Sequence, residues 1–214
     1  MPFQVVANFQ SKRKTPSLLA FDGSERLFGA DAEALLGRKP GNVIAAPVAL
    51  LGRNATHPLV ELALHGSFAA AVVGPAGDGR GGLALELPVP AGGNATRYSV
   101  EELSAMLLAH ARDFASAVAE QRIQDAVITV PSFATQGERL ALVAAAELAG
   151  LKVLALIDEN TATGVHYGID RVFENAMHYM MLYNMGAEST QVGCCAPPCA
   201  RVVVMGGIRG VGGL

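Results

Sequence analysis

Asp125-Ala126-Val127-Ile128-Thr129-Val130-Pro131, then Thr135-Gln136-Gly137-Glu138-Arg139 through Ala149-Gly150, then Lys152 to Ile157 followed by Asp158-Glu159-Asn160, decide how this chain is read. The first run is short, apolar and β-branched, which suits a buried strand. Thr135 with Glu138 three residues on is a capping box, in which hydroxyl and carboxylate satisfy two free amides at a helix start. That helix carries Leu140, Val143, Ala144 and Leu148 on one face and stops at Gly150. Residues 152–157 read as the next strand, 161–167 as a short helix stopped by Gly168, and 177–183 as a further strand. Short apolar strands alternating with amphipathic helices argue for a parallel α/β sheet with right-handed crossovers. Ligands in such sheets gather at the carboxyl ends of strands. Three strand exits therefore matter: Pro131-Ser132, Asp158-Glu159-Asn160 and Asn184-Met185-Gly186.

Upstream, Ser99 with Glu102 is a second capping box. It opens a helix on which Leu103, Met106, Leu107, His110, Phe114 and Val118 recur at helical spacing. Residues 3–9 alternate weakly and read as a strand, 11–16 as a polar turn, and 17–21 as a second strand ahead of the turn Asp22-Gly23-Ser24. Residues 30–36 read as a short helix ending near Gly37. Residues 68–73 and 83–87 read as strands joined through Gly77-Asp78-Gly79, and 88–93 as a linker. After Thr190 the pattern breaks down into a stretch rich in Gly, Pro and Cys, with one apolar run at Val202-Val203-Val204.

Composition excludes several classes. The 214 residues are 51% hydrophobic and only 16% charged, with a mean hydropathy of +0.33. Alanine supplies 36 of them, so the apolar weight is spread over small side chains. A membrane span needs about 20 consecutive apolar residues, and the best candidate, 140–157, is broken by Glu147, Gly150 and Lys152. The polar start, with Gln4, Asn8, Gln10, Lys12, Arg13 and Lys14, offers no apolar core of an entry signal. Sixteen basic against nineteen acidic residues give −3, which leaves no nucleic-acid footprint. Low charge and high hydrophobicity are also the opposite of a disordered chain.

Local chemistry leaves alternatives open. Asn184 to Thr190 is a small-residue turn after a strand. It suits backbone amides presented to phosphate, although Glu188 opposes an anion there, and it equally suits an ordinary turn. Asp158-Glu159 suits the positioning of a water or a hydrated cation, and equally the acidic first turn of a helix. Cys194, Cys195 and Cys199 fall one ligand short of a structural zinc site, with no histidine close by, so no metal is expected. The five histidines show no paired spacing, and His110 reads as a core histidine. Neither a nucleophile elbow nor a Walker-type phosphate loop occurs. Asn54-Ala55-Thr56 and Asn94-Ala95-Thr96 are glycosylation acceptors in a secretory chain.

Residues 125–133, Gln136, Glu138-Arg139, Ala145 to Leu151, Leu156-Ile157-Asp158-Glu159-Asn160-Thr161-Ala162-Thr163 and Tyr167-Gly168 together resemble the nucleotide-binding domain of the 70 kDa heat-shock chaperone superfamily. The Asn-Thr-Ala-Thr run, Lys12 to Pro16, Tyr183-Asn184-Met185-Gly186 with Ser189-Thr190, and Ile208 to Gly212 resemble its large endoplasmic-reticulum branch. The likeness is good over 3–53 and 99–190, loose over 54–98 and slight over 191–207.

The resemblance implies an actin-like (ribonuclease H-like) α/β fold, mostly lobe I, with a mixed sheet and flanking helices. It implies a partial nucleotide-binding domain over 1–190, with a smaller inserted subdomain at about 17–98, and a divergent tail over 191–214. It implies ATP or ADP with magnesium as ligand, unfolded polypeptides and a partner chaperone as partners, and the endoplasmic-reticulum lumen as location. By the same resemblance Glu159 is the catalytic carboxylate that positions magnesium-bound or attacking water. Asn184, Gly186, Ala187 and Ser189 form a phosphate loop, and Pro131 with Arg139 relays nucleotide state.

Departures from the family pattern accompany the likeness. The first phosphate loop, expected ahead of residue 3, is missing. The expected lysine is Val48, beside Pro47, and an expected aspartate is Asn184. Valine cannot stabilise charge on a transferring phosphoryl group. The expectation is a truncated chaperone fragment with weak or no nucleotide binding and negligible ATP hydrolysis. The alternatives are a nucleotide-independent module that docks a partner, and a faulty gene reading with a missing start and read-through after Thr190.

Overall fold

The computed structural model describes residues 4–58, 60–61, 71–75, 82–87, 96–169, 171–172, 179–186, 189–196 and 199–208. The chain divides into two units, one of Gln4–Ala126 with Gln136–Val153, the other of Val127–Thr135 with Leu154–Leu214.

The first unit begins with a loop where a strand was expected. Residues 4–15 form no strand because the buried Asn8 organises them locally. Its Oδ1 accepts from the backbone N–H groups of Gln10 and Lys12, and its Nδ2 donates to the Lys14 carbonyl and Thr15 Oγ1. Such side-chain-to-backbone bonds compete with sheet ladders. The sheet starts at β1 (Leu18–Asp22), which turns at Gly23 into β2 (Glu25–Phe28) and pairs on its other edge with β3 (Val43–Ala45), both antiparallel. The short α1 (Ala30–Glu33) lies between them in sequence. A second antiparallel sheet is ordered β4 (Ala71–Pro75), β5 (Leu83–Leu87), β6 (Thr96–Ser99). The expected connection at residues 77–79 and linker at 88–93 lie outside the described residues.

Ser99 caps α2 (Val100–Ala119) as its sequence indicates. Its hydroxyl accepts from the Glu102 N–H at 3.1 Å, and the Glu102 carboxylate accepts from the Ser99 N–H at 2.7 Å. α2 packs against α3 (Gln136–Leu148). That helix ends in a Schellman motif: Gly150 adopts φ +75°, the Leu151 N–H reaches the Ala146 carbonyl, and the Gly150 N–H reaches that of Glu147. Arg112 on α2 donates to the Ala149 carbonyl and tethers this end. Leu19, Ile44, Leu83, Leu85, Leu103, Leu142, Ala145 and Ala146 are among the buried side chains of this unit.

The start of α3 is also clasped from a distance. Gly52, at φ +65°, follows a 3-10 helix (Pro47–Leu50), and a Cβ there would lie 2.6 Å from the backbone of Gly137 and Glu138. Arg53 then donates from Nε to Glu138 Oε1 at 3.1 Å, with Nη2 also at 3.1 Å. The Glu138 carboxylate thus serves a contact 85 residues away in sequence.

β7 (Asp125–Val130) and β8 (Lys152–Asp158) are hydrogen-bonded neighbours, most of whose residues fall in the second unit, with α3 between them in sequence. β7 is not the fully buried strand expected: its side chains alternate between exposed and partly covered until Val130. In the second unit α4 (Glu159–Gly168) follows β8. β9 (Met180–Met185), β10 (Thr190–Ala196) and β11 (Cys199–Ile208) form an antiparallel sheet in the order β11-β10-β9. Residues 191–196 and 199–208, where the sequence pattern fails, are therefore strands, and β9 belongs to a hairpin rather than to a parallel sheet. Pairing along both edges of β10 compensates for its weak strand composition. Among the described residues no helix is long and apolar enough to cross a membrane.

Candidate functional site

The three strand exits singled out in the sequence supply one hydrogen-bonded network in the second unit. β8 ends at Asp158, and Glu159 is the first residue of α4. β9 alternates, so Leu182 and Asn184 share a face that turns inward while Met181, Tyr183 and Met185 face out. Asn184 donates from Nδ2 to Glu159 Oε2 at 3.1 Å. Directly across the ladder from Asn184 stands Gln191 on β10. Its Nε2 donates to the same Glu159 Oε2 at 2.6 Å. Its Oε1 accepts from the Ser132 N–H at 3.2 Å and from Ser132 Oγ at 3.1 Å. Gln191 is 1% exposed, so its own amide is shielded from water, while Ser132, Glu159 and Asn184 are partly covered.

The orientation of the Gln191 amide follows from its partners. A backbone N–H can only donate, so Oε1 must face Ser132, and this turns Nε2 toward the carboxylate. Gln191 lay in the stretch read as a divergent tail, and nothing local in the sequence marks it. Its partners are 59 and 32 residues away. Beside Glu159, Asn160 is fully buried, and among the described residues neither polar atom of its side chain has a hydrogen-bond partner.

The remaining expected site residues are placed as follows. Gly186 and Ser189 close the β9–β10 hairpin, the Gly186 N–H donating to the Ser189 carbonyl at 2.8 Å. That amide is therefore engaged within the turn. Ala187 and Glu188 lie outside the described residues. Pro131 follows β7, and its carbonyl accepts from the Ala134 N–H. Arg139 is half-buried on α3 in the first unit. Val48, on the 3-10 helix of the first unit, is 43% exposed and apolar. Asn54 is exposed, with its Oδ1 accepting from Thr56 Oγ1 at 3.1 Å, and Asn94 lies outside the described residues. Cys194 is an exposed free thiol on β10.

At Oε2 of Glu159 these donors do not fit a hydrated magnesium ion. Magnesium takes oxygen ligands at about 2.0–2.1 Å in near-octahedral array. Glu159 Oε2 instead faces two amide N–H groups, whose hydrogens carry partial positive charge where the ion or its water would lie. Among the described residues no three His, Cys, Asp or Glu side chains converge as cation ligands.

Comparison with known proteins supplies the family. The profile described as "Hsp70 protein" matches residues 2–197. The chain is 38% identical over 192 residues to Hypoxia up-regulated protein 1 of Xenopus laevis, covering 89% of this chain and 29% of the frog protein. It is 37% identical over 193 residues to that of Danio rerio, covering 89% and 19%. It is 36% identical over 192 residues to that of Homo sapiens, covering 89% and 18%. The chain thus spans less than a third of the length of these relatives. It belongs to the Hsp70 family, and its mixed α/β architecture is the actin-like ATPase fold of that family's nucleotide-binding domain.

Proposed function

We propose that this chain is nucleotide-domain sequence of a large-branch Hsp70 chaperone in which phosphate chemistry has been lost. Two substitutions of charge and one contact support this reading: Val48 stands at the expected lysine, Asn184 at the expected aspartate, and Glu159 Oε2 is held by amides. The last observation carries the argument, because the carboxylate oxygen Oε2, with both in-plane lone-pair directions taken by N–H donors, has no lone pair left to order water for attack. Over this stretch the chain would bind ATP or ADP with magnesium weakly or not at all. Clients, a partner chaperone and residence in the endoplasmic reticulum belong to the same proposal, since the relatives bear the name of a hypoxia-induced member of the family. So do a relay through Pro131 and Arg139, the subdomain at about 17–98, and glycosylation at Asn54 and Asn94.

Calorimetric titration of the purified chain with ATP tests the nucleotide reading. The expected result is no micromolar binding, with the same heat in magnesium and in EDTA. Magnesium-dependent binding at micromolar strength would overturn it. A nucleotide-independent docking role is the second reading, favoured by the row Met181, Tyr183 and Met185, which β9 leaves exposed on one face. Chemical-shift changes confined to that row on addition of a partner, and unaffected by ATP, would support it.

A further inference from the structure

We infer that Gln191 is a built-in occupant of Glu159 Oε2, placed by the β9–β10 hairpin so as to keep a hydrated divalent cation off that oxygen. This rests on the reading of lost phosphate chemistry and deepens it by naming the group responsible. A carboxylate oxygen has two in-plane lone-pair directions. At Glu159 Oε2 there are two donors, Gln191 Nε2 at 2.6 Å and Asn184 Nδ2 at 3.1 Å. Both come from one cross-strand pair, so they move as a unit with the hairpin. A cation approaching Oε2 must displace an amide that cannot simply turn to water, because Gln191 is buried and its other end is pinned by Ser132. Displacement would break the bond to Glu159 and leave a buried N–H group unpaired, which is the costly half of the exchange. Asn184 alone is a weaker obstacle, since its side chain is only partly covered. Gln191 is thus a positioning residue, which acts by holding Glu159.

Manganese(II) alone, titrated into the ¹⁵N-labelled chain, tests this directly. Paramagnetic broadening of the Ser132 and Asn184 backbone amides reports occupancy at Glu159 without any nucleotide or turnover. Gln191→Met keeps the length and volume of the side chain but removes its amide. The expected result is site-specific broadening in Gln191→Met at about tenfold lower manganese than in the wild-type chain, equivalent to ~1.4 kcal/mol. The gain should be abolished when Glu159→Gln is added. Equal manganese sensitivity of the two chains, or a gain that survives Glu159→Gln, overturns the inference. If Gln191→Met does not fold, as judged by its amide spectrum, the wild-type chain still decides. Its Gln191 side-chain NH2 resonances must persist, slowly exchanging, through millimolar manganese, and their loss at micromolar manganese overturns the inference. ATP turnover by the wild-type chain would sink the broader reading and leave this measurement standing, so the two fail separately.

Discussion

Each of the two units is stabilised internally by different means. The first buries aliphatic side chains from two sheets and two helices, with Leu19, Ile44, Leu85 and Leu103 fully enclosed. The second hides Gln191 and Asn160 and joins its elements through the Ser132–Gln191–Glu159–Asn184 network. It also leaves Val127, Leu154, Tyr179, Met181, Tyr183 and Met185 exposed. Apolar burial supplies non-directional stability, at about 25 cal/mol per Å². A buried polar network supplies direction and specificity, and it fails sharply when one member is removed. The first unit is therefore a scaffold whose weak points are steric, and the second a site whose weak points are single hydrogen bonds.

The largest expected effect breaks the scaffold. Gly52→Val puts a branched side chain at positive φ, against backbone atoms 2.6 Å from where its Cβ would lie. It should cost ~4 kcal/mol or prevent folding, and urea denaturation followed by circular dichroism measures it. A loss under 1 kcal/mol would show that the clasp on α3 is loose.

Next is Arg53→Met, which leaves Glu138 without this partner in a setting where the two side chains are only 11% and 13% exposed. The expected cost is ~2–3 kcal/mol, below that of a fully dry pair because some water reaches both groups. The same denaturation experiment reads it, and an unchanged midpoint would contradict the assignment.

The smallest effect is a pH dependence of the first unit. His110 stacks on Phe28 with ring centres 4.6 Å apart and meets the edges of Phe9 and Phe114. Burial pushes its imidazole below the ordinary value near 6.5, against the opposing pull of Asp113 and Asp31. A lowered folded value means that the unfolded chain binds the proton first. The contribution is therefore complete above the ordinary histidine value and is lost as pH falls through the folded value. His110→Gln should flatten the stability profile between about pH 7 and 5. A profile identical in wild type and variant would show that His110 does not contribute.

What the sequence revealed divides along the same line. The capping box at Ser99, the Gly150 stop and the turn at Gly23 are local devices, and each was legible because its partners lie within a few residues. The three strand exits were legible from element order, and their residues do meet around Glu159. Gln191 was not, since a glutamine in a Gly- and Cys-rich stretch carries no periodic signal, and its meaning comes only from ladder register. Asn8 shows the converse: weak alternation over residues 3–9 suggested a strand, but one side chain with four local hydrogen bonds outweighed it. Glu138 fitted a capping box by spacing, while its carboxylate also closes a tertiary clasp that no local pattern encodes.

The central proposal is that this stretch of Hsp70 sequence supports no ATP turnover, because the chain's own amides occupy Glu159 Oε2 and Val48 brings no charge. Steady-state phosphate release by the purified wild-type chain, with saturating ATP and magnesium, tests it most directly. The account predicts release indistinguishable from a Glu159→Gln control. Magnesium-dependent release that exceeds that control and vanishes on chelation would contradict it.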